Sequence, residues 1–283
     1  MNLLDCLKEN YNDFTDREKL LSNFFLSNKE NVIGMSAKEI GESTNTSAAT
    51  VVRFSKKLGF SSLNEMKLSL TLSSKAEDKS YSFKYLNNDL KTQDIIYGVK
   101  DSIDNVMNKT VELIDEKDLE TAINLLINAK NIYIYCVGVS SLVGLDFYYK
   151  LNRINKRCIL HSDAHLQITS SVLMEKGDVA IAISYSGNTL EVLTCVENAK
   201  KKDIPVISIT KASLNNELEQ LSDVTLKVPF VEKLLREGAM SSRISQLAVI
   251  DMLFIGIARQ NLQEIEENLI LTRKAVEDFK KKL

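Results

Sequence analysis

The chain has 283 residues, 44% of them hydrophobic, which is ample for a buried core and suggests two domains more naturally than one. Its net charge of -2 excludes a uniformly basic surface, so a nucleic-acid site would have to be a local patch. Cys6, Cys136, Cys158 and Cys195 share no CxxC spacing and read as reduced packing residues of a cytoplasmic protein. The N-terminus has no basic flank followed by an apolar run, so no secretory signal is expected. The most apolar stretches, near 132–139 and 248–258, are too short or too polar at their flanks to span a membrane, and no membrane partner is expected.

The first predicted helix covers 15–27, with Thr15 as cap, Glu18 three residues on, and Leu20, Leu21, Phe24 and Phe25 turned inward. A second begins at Ser36 with Glu39 in the same relation, and Thr44–Asn45 suits the short turn of a helix-turn-helix. The third, capped by Thr46 or Ser47, puts Val51, Phe54 and Leu58 on one face. Its other face carries Ala49, Val52, Arg53 and Lys56, with Lys57 beside it and no acid, and Gly59 stops it. The small residues Ser47, Ala48, Ala49 and Thr50 would let the backbone approach base edges, while Arg53, Lys56 and Lys57 reach bases or phosphates. A further box at Ser61, Ser62 and Glu65 opens a helix to about residue 73, whose start can hold a backbone phosphate. The ordinary reading of any one such helix is a solvated face, but here three capped short helices occur together with the right turn.

These helices make residues 1–75 an all-α helix-turn-helix domain, followed by a polar linker at 76–93. Residues 94–283 then open with helices at about 94–114 and 116–129. Strands are expected at 132–137, 158–160, 179–184, 206–210 and 224–228. Helices at about 141–154, 164–175, 189–202 and 213–221 separate them, and two more near 240–260 and 263–281 close the chain. Short apolar runs alternating with helices give a doubly wound α/β domain, a five-stranded parallel sheet flanked by helices.

Two strand ends carry chemistry. One is Cys136-Val137-Gly138-Val139-Ser140-Ser141, the other Ser184-Tyr185-Ser186-Gly187-Asn188-Thr189. Ligands of open parallel sheets bind outside the carboxyl ends of strands, and hydroxyls with free N–H groups at a helix start make a cradle for a phosphate monoester. The plain alternative is that serine and threonine are good helix caps. Neither GxGxxG nor GxxxxGK[ST] is present, so no NAD, ATP or other cofactor is expected. His161-Ser162-Asp163-Ala164-His165 holds the chain's only histidines and is too sparse for a metal site. Asp163 and His165 are better suited to sugar hydroxyls, and either could equally be a helix cap or a surface residue. Near 236–243, Glu237 can reach a ligand hydroxyl, Ser241 or Ser242 can cap the next helix, and Arg243 is available for a ligand or a second subunit.

Taken together, SAATVVRFSKKLGF, VGVSS, SYSGNTLEV and SSRISQLAVIDML resemble the RpiR family of bacterial transcriptional regulators, in the family's order and over nearly the whole chain. The family joins an N-terminal helix-turn-helix to a C-terminal sugar isomerase (SIS) domain. The resemblance implies that Ser184, Ser186 and Thr189 hold the phosphate of a phosphosugar, with Ser140 and Ser141 as partners. It also implies a homodimer or tetramer acting on double-stranded operator DNA, with a sugar or amino-sugar phosphate as effector. Two other readings stay open: a phosphosugar isomerase or lyase, for which no acid–base pair is evident, and a ligand-free DNA-binding adaptor.

Overall fold

Side-chain caps set the helix starts in the N-terminal part of the chain. The computed structural model describes residues 3, 6–7, 11, 14–76, 91–213, 216–229 and 239–281. They fall into two units, Met1–Ile96 and a second made of Tyr97–Ala212 with Asn216–Leu283. In the first, α1 (Asp16–Ser27) begins where the Thr15 N–H donates to Glu18 Oε2 at 2.8 Å. The short α2 (Lys29–Gly34) follows, then α3 (Ala37–Ser43), boxed by Ser36 and Glu39, α4 (Ala48–Lys57) and α5 (Leu63–Ala76). α2 has no sequence signal of its own: Asn28 serves as the end of one helix and the start of the next without a side-chain cap.

Leu21, Phe25, Val32, Ile40, Val51, Phe54, Leu58, Phe60, Met66 and Leu70 form one core. Phe54 stands at its centre, edge-on to Phe14 at 5.3 Å and beside Phe25 at 6.4 Å. Of the α1 face expected to point inward, Leu21 and Phe25 are buried and Phe24 is half-buried, but Leu20 is 51% exposed; Ser22 takes the buried position instead.

α6 (Thr92–Leu113), whose residues from Tyr97 on belong to the second unit, and α7 (Glu116–Asn128) come next. The second unit continues with β1 (Ile132–Cys136), α8 (Ser140–Arg153), β2 (Cys158–Leu160), α9 (Ala164–Ser171) and β3 (Val179–Ile183). α10 (Leu190–Lys200), β4 (Val206–Lys211), α11 (Glu217–Leu221), β5 (Val224–Val228), α12 (Met240–Ala258) and α13 (Leu262–Lys280) complete it. The strands are all parallel in the order β2-β1-β3-β4-β5.

Period-two alternation divides the side chains between two cores. Ile132, Ile134 and Cys136 of β1 and Val179, Ile181 and Ile183 of β3 pack with α7, α8 and α12. Tyr135, Ala180 and Ala182 pack with α10 and α11 on the other face. The apolar stretch near 248–258 belongs to a 19-residue helix, α12, which by length and composition alone could cross a membrane. Val249, Ile250, Leu253 and Ile257 instead bury one side of it in the sheet core. Burial likewise accounts for the cysteines: all four are free thiols, and it pushes Cys136 up to about 12 and Cys158 and Cys195 up to about 11.

Candidate functional site

In the first unit, the turn between α3 and α4 is made by Asn45 at φ 52°, with the Thr46 N–H donating to Gly41 O at 2.8 Å and the Asn45 N–H to Glu42 O at 3.4 Å. This is a Schellman stop, and asparagine accepts the left-handed conformation it requires. The same device ends α4. Gly59 sits at φ 84°, the Phe60 N–H reaches Ser55 O, and Phe60 drops into the core. Ser47, not Thr46, caps α4, accepting from the Thr50 N–H at 3.1 Å while its Oγ lies 2.8 Å from Thr50 Oγ1.

Along α4, Val51, Phe54 and Leu58 are buried, while Ser47, Ala48, Ala49, Val52, Arg53 and Lys56 are exposed in one continuous stripe. Arg53 and Lys56 pair with no acid among the described residues. Lys57 is different: its Nζ reaches both Glu18 carboxylate oxygens at 2.8 and 2.9 Å and lies 5.7 Å from the Phe14 ring centre. At α5, Ser62 accepts from the Glu65 N–H at 3.2 Å, and the Glu65 carboxylate takes the Ser61 N–H at 2.7 Å. Both hydroxyls are exposed.

In the second unit the chain goes from β1 to β2 on one side and then crosses to β3 on the other. The order of the sheet therefore reverses between β1 and β3, the switch point where open α/β sheets bind ligands. Both serine-rich turns stand there, since Cys136 and Ile183 end the two strands in register. After β3, Ser184 is 3% exposed, with its Oγ 2.7 Å from Thr189 Oγ1 and 3.4 Å from Ser186 Oγ; Ser186 Oγ lies 3.3 Å from Thr189 Oγ1. Gly187 adopts φ 75°, and a Cβ there would come within 2.0 Å of Asn216 Oδ1. Asn216 is itself held by bonds to Thr210 Oγ1 and Lys211 O and caps α11. Sequence reasoning missed this buttress, which joins residues far apart in the chain.

After β1, Gly138 takes φ 60°, Ser141 Oγ donates to Gly138 O at 2.6 Å, and Ser140 Oγ donates to Gln246 Oε1 at 3.4 Å. Gln167, also unforeseen, closes this strand end. It bonds the Cys136 N–H and carbonyl and the His161 carbonyl, tying the ends of β1 and β2 together. Asp163 caps α9 by accepting from the Leu166 N–H at 3.0 Å, and His165, the second residue of that helix, is exposed. Neither Ser241 nor Ser242 caps α12: Ala239 occupies that place at φ 56°. Glu237, like linker residues 77–90, lies outside the described residues. A recess of about 380 Å³ near Thr121, Asn124, Asp178 and Pro205 lies at the opposite, N-terminal strand ends, where Asp178 is already bonded to Asn131 and to the Glu175 N–H.

A helix-turn-helix with an exposed basic stripe, joined in the chain to an open parallel sheet with hydroxyl-rich turns at its switch point, has the architecture of a DNA-binding transcriptional regulator. Comparison with known proteins places the chain within that class. Residues 1–77 match the helix-turn-helix domain of the rpiR family and residues 125–256 match the SIS domain. An uncharacterized HTH-type transcriptional regulator from Caldanaerobacter subterraneus is 32% identical, over 93% of this chain and 93% of its own length. Another from Thermotoga maritima is 29% identical over 99% and 100%. Among solved structures, the Vibrio vulnificus NanR protein complexed with ManNAc-6P is 28% identical with a TM-score of 0.63, covering 98% of this chain and 99% of that one. The chain belongs to the RpiR family of HTH-type transcriptional regulators and carries an SIS domain. SIS folds also occur in phosphosugar isomerases, but the curated relatives are named as regulators.

Proposed function

We propose that this regulator binds double-stranded operator DNA through α4 and is controlled by a phosphosugar, of the amino-sugar class, held at the crevice between β1 and β3. Residues 1–75 bind DNA, 76–93 link, and 94–283 receive the effector. One observation carries the effector reading. Thr189 occupies the N-cap position of α10 yet makes no side-chain cap, its hydroxyl turning to Ser184 instead. Ser36, Ser47, Asp115, Asp163, Asn216 and Asn261 do cap their helices, whereas Asn28, like Thr189, does not. The loop hydroxyls are therefore gathered on one another beside a helix start whose first N–H groups lack intrahelical partners, an arrangement suited to a phosphate.

In this reading Ser184, Ser186 and Thr189 hold the phosphate, helped by Ser140 and Ser141 from the neighbouring turn. Asp163 and His165 at the end of β2, with Glu237, take sugar hydroxyls. The amino-sugar class is supported by the ManNAc-6P bound to the similar NanR protein. The exposed apolar residues of α13, Leu271, Val276 and Phe279 among them, suit a second copy of the chain, and the assembly is a dimer or tetramer.

The test is a thermal-shift screen of the chain against sugar phosphates and amino-sugar phosphates, since a ligand of the folded state raises the melting point. A hit should weaken roughly 10- to 100-fold in Thr189→Ala, because a hydrogen bond to a charged group is lost, while DNA binding persists. Unchanged affinity in Ser184→Ala with Thr189→Ala would show the cradle to be misplaced. A flat panel from folded, DNA-binding protein would favour the ligand-free adaptor.

A further inference from the structure

Gln246 is a buried amide with one polar atom left over. It lies on α12 at 1% exposure, and Ser140 is the partner it has, through Oε1; its Nε2 has none among the described residues. Turning the amide over changes which atom is orphaned and does not remove the orphan. A buried donor without an acceptor lowers stability, and folded proteins keep few of them. This one stands against Ser140, on the turn that follows β1, at the switch point.

Its direction of approach is informative. α12 packs on the sheet face shared with α7 and α8, whereas the Ser184–Thr189 loop feeds α10 on the other face. β1 and β3 are neighbours, so the crevice between their ends is reached from one side by the phosphate loop and from the other by Ser140 and Gln246. A phosphosugar with its phosphate on the β3 loop would turn its sugar towards the β1 side.

We propose that Gln246 donates from Nε2 to an oxygen of the bound sugar, making it a specificity-determining residue that separates a phosphosugar from phosphate alone. The proposal rests on the phosphate reading of the Ser184–Thr189 loop, and its test keeps the two apart. Binding of inorganic phosphate and of N-acetylmannosamine 6-phosphate is measured calorimetrically on the full chain, on Gln246→Met, on Gln246→Leu, and on the Ser184→Ala, Thr189→Ala pair. Gln246→Met keeps the approximate shape and removes the orphaned N–H group together with the acceptor of Ser140, a half-buried hydroxyl with other access to partners.

The expected result is that sugar-phosphate affinity falls at least about tenfold, while phosphate affinity, which Gln246 influences only through Ser140, falls by clearly less. The melting temperature of the unliganded variant should rise by about 2–4 °C. Gln246→Leu should show the same split between probes. A glutamine that merely holds the fold would give a lower melting temperature and equal losses for both probes, which overturns the proposal. So does wild-type protein that binds the sugar phosphate no more tightly than phosphate. If wild type binds neither probe, or if binding survives the Ser184→Ala, Thr189→Ala pair, the loop reading fails and the proposal goes with it.

Discussion

Residues of one charge on one helix do different work here. Arg53 and Lys56 stand free on the exposed stripe of α4, whereas Lys57 is held by Glu18 and covers Phe14. Arg53→Ala should therefore weaken binding to a selected operator and leave the melting temperature and effector binding unchanged. If Arg53 contacts a phosphate, the slope of log affinity against log salt should fall by about 1; if it contacts a base, discrimination should relax at one position. Lys57→Ala should lower stability instead, by less than about 1 kcal/mol because the pair is partly solvated. Melting and titration of the two variants side by side separate the roles; equal DNA defects with equal melting points would return Lys57 to the interface.

At the scale of elements, two capping boxes and a third cap at Ser62 organise the first unit, and each uses a glutamate. Burial pushes the Glu18 carboxyl up, but bonds from Lys57 and Thr15 outweigh it, and the net shift is below the ordinary value of 4.5. Bonds from Ser36 lower Glu39 and bonds from Ser61 lower Glu65. Groups whose folded-state values are depressed contribute stability above the unfolded value and lose it as pH falls through the folded one. The helix-turn-helix unit should accordingly be weakened as pH drops below about 4.5. Compared with a Glu18→Gln, Glu39→Gln, Glu65→Gln variant, the wild-type chain should melt higher at neutral pH, and the gap should close towards about pH 3. A gap independent of pH would assign these residues only to packing.

These boxes were legible because a cap and its partner are three residues apart, and both glycine-ended and asparagine-ended turns declare themselves locally. The strands were legible from apolar runs and the two serine-rich strand ends from their residues, but that they stand side by side at the switch point follows from the strand order. Asn216 behind Gly187, Gln167 across the ends of β1 and β2, and Gln246 against Ser140 were not. Each joins sequence-distant residues, and a lone amide has no periodicity to betray it. Nor was the absence of a cap at Thr189 visible, since only the geometry separates a capping threonine from one turned to neighbouring hydroxyls.

For the whole molecule, the proposed control requires that occupation of the crevice be felt by α4. Ser140 touches Gln246 on α12, and Ser241 in the first turn of the same helix lies 3.4 Å from Ser102 of α6. α6 is the element that the linker enters, so α12 gives the crevice a packed route to the start of the effector unit. That route is a physical candidate until coupling is measured. Coupling is reciprocal: if the sugar phosphate changes operator affinity by some factor, operator DNA must change sugar-phosphate affinity by the same factor, typically about 5- to 150-fold. Titrating operator with and without saturating ligand, and ligand with and without operator, gives both factors. They should agree, and Ser102→Ala should bring both towards one while leaving each affinity, measured alone, nearly unchanged. Factors that disagree would mean that the subunits change their association between the two titrations, because a cycle of fixed species must close. Factors of one in the wild-type chain would uncouple the crevice from DNA and reduce the second unit to an assembly domain.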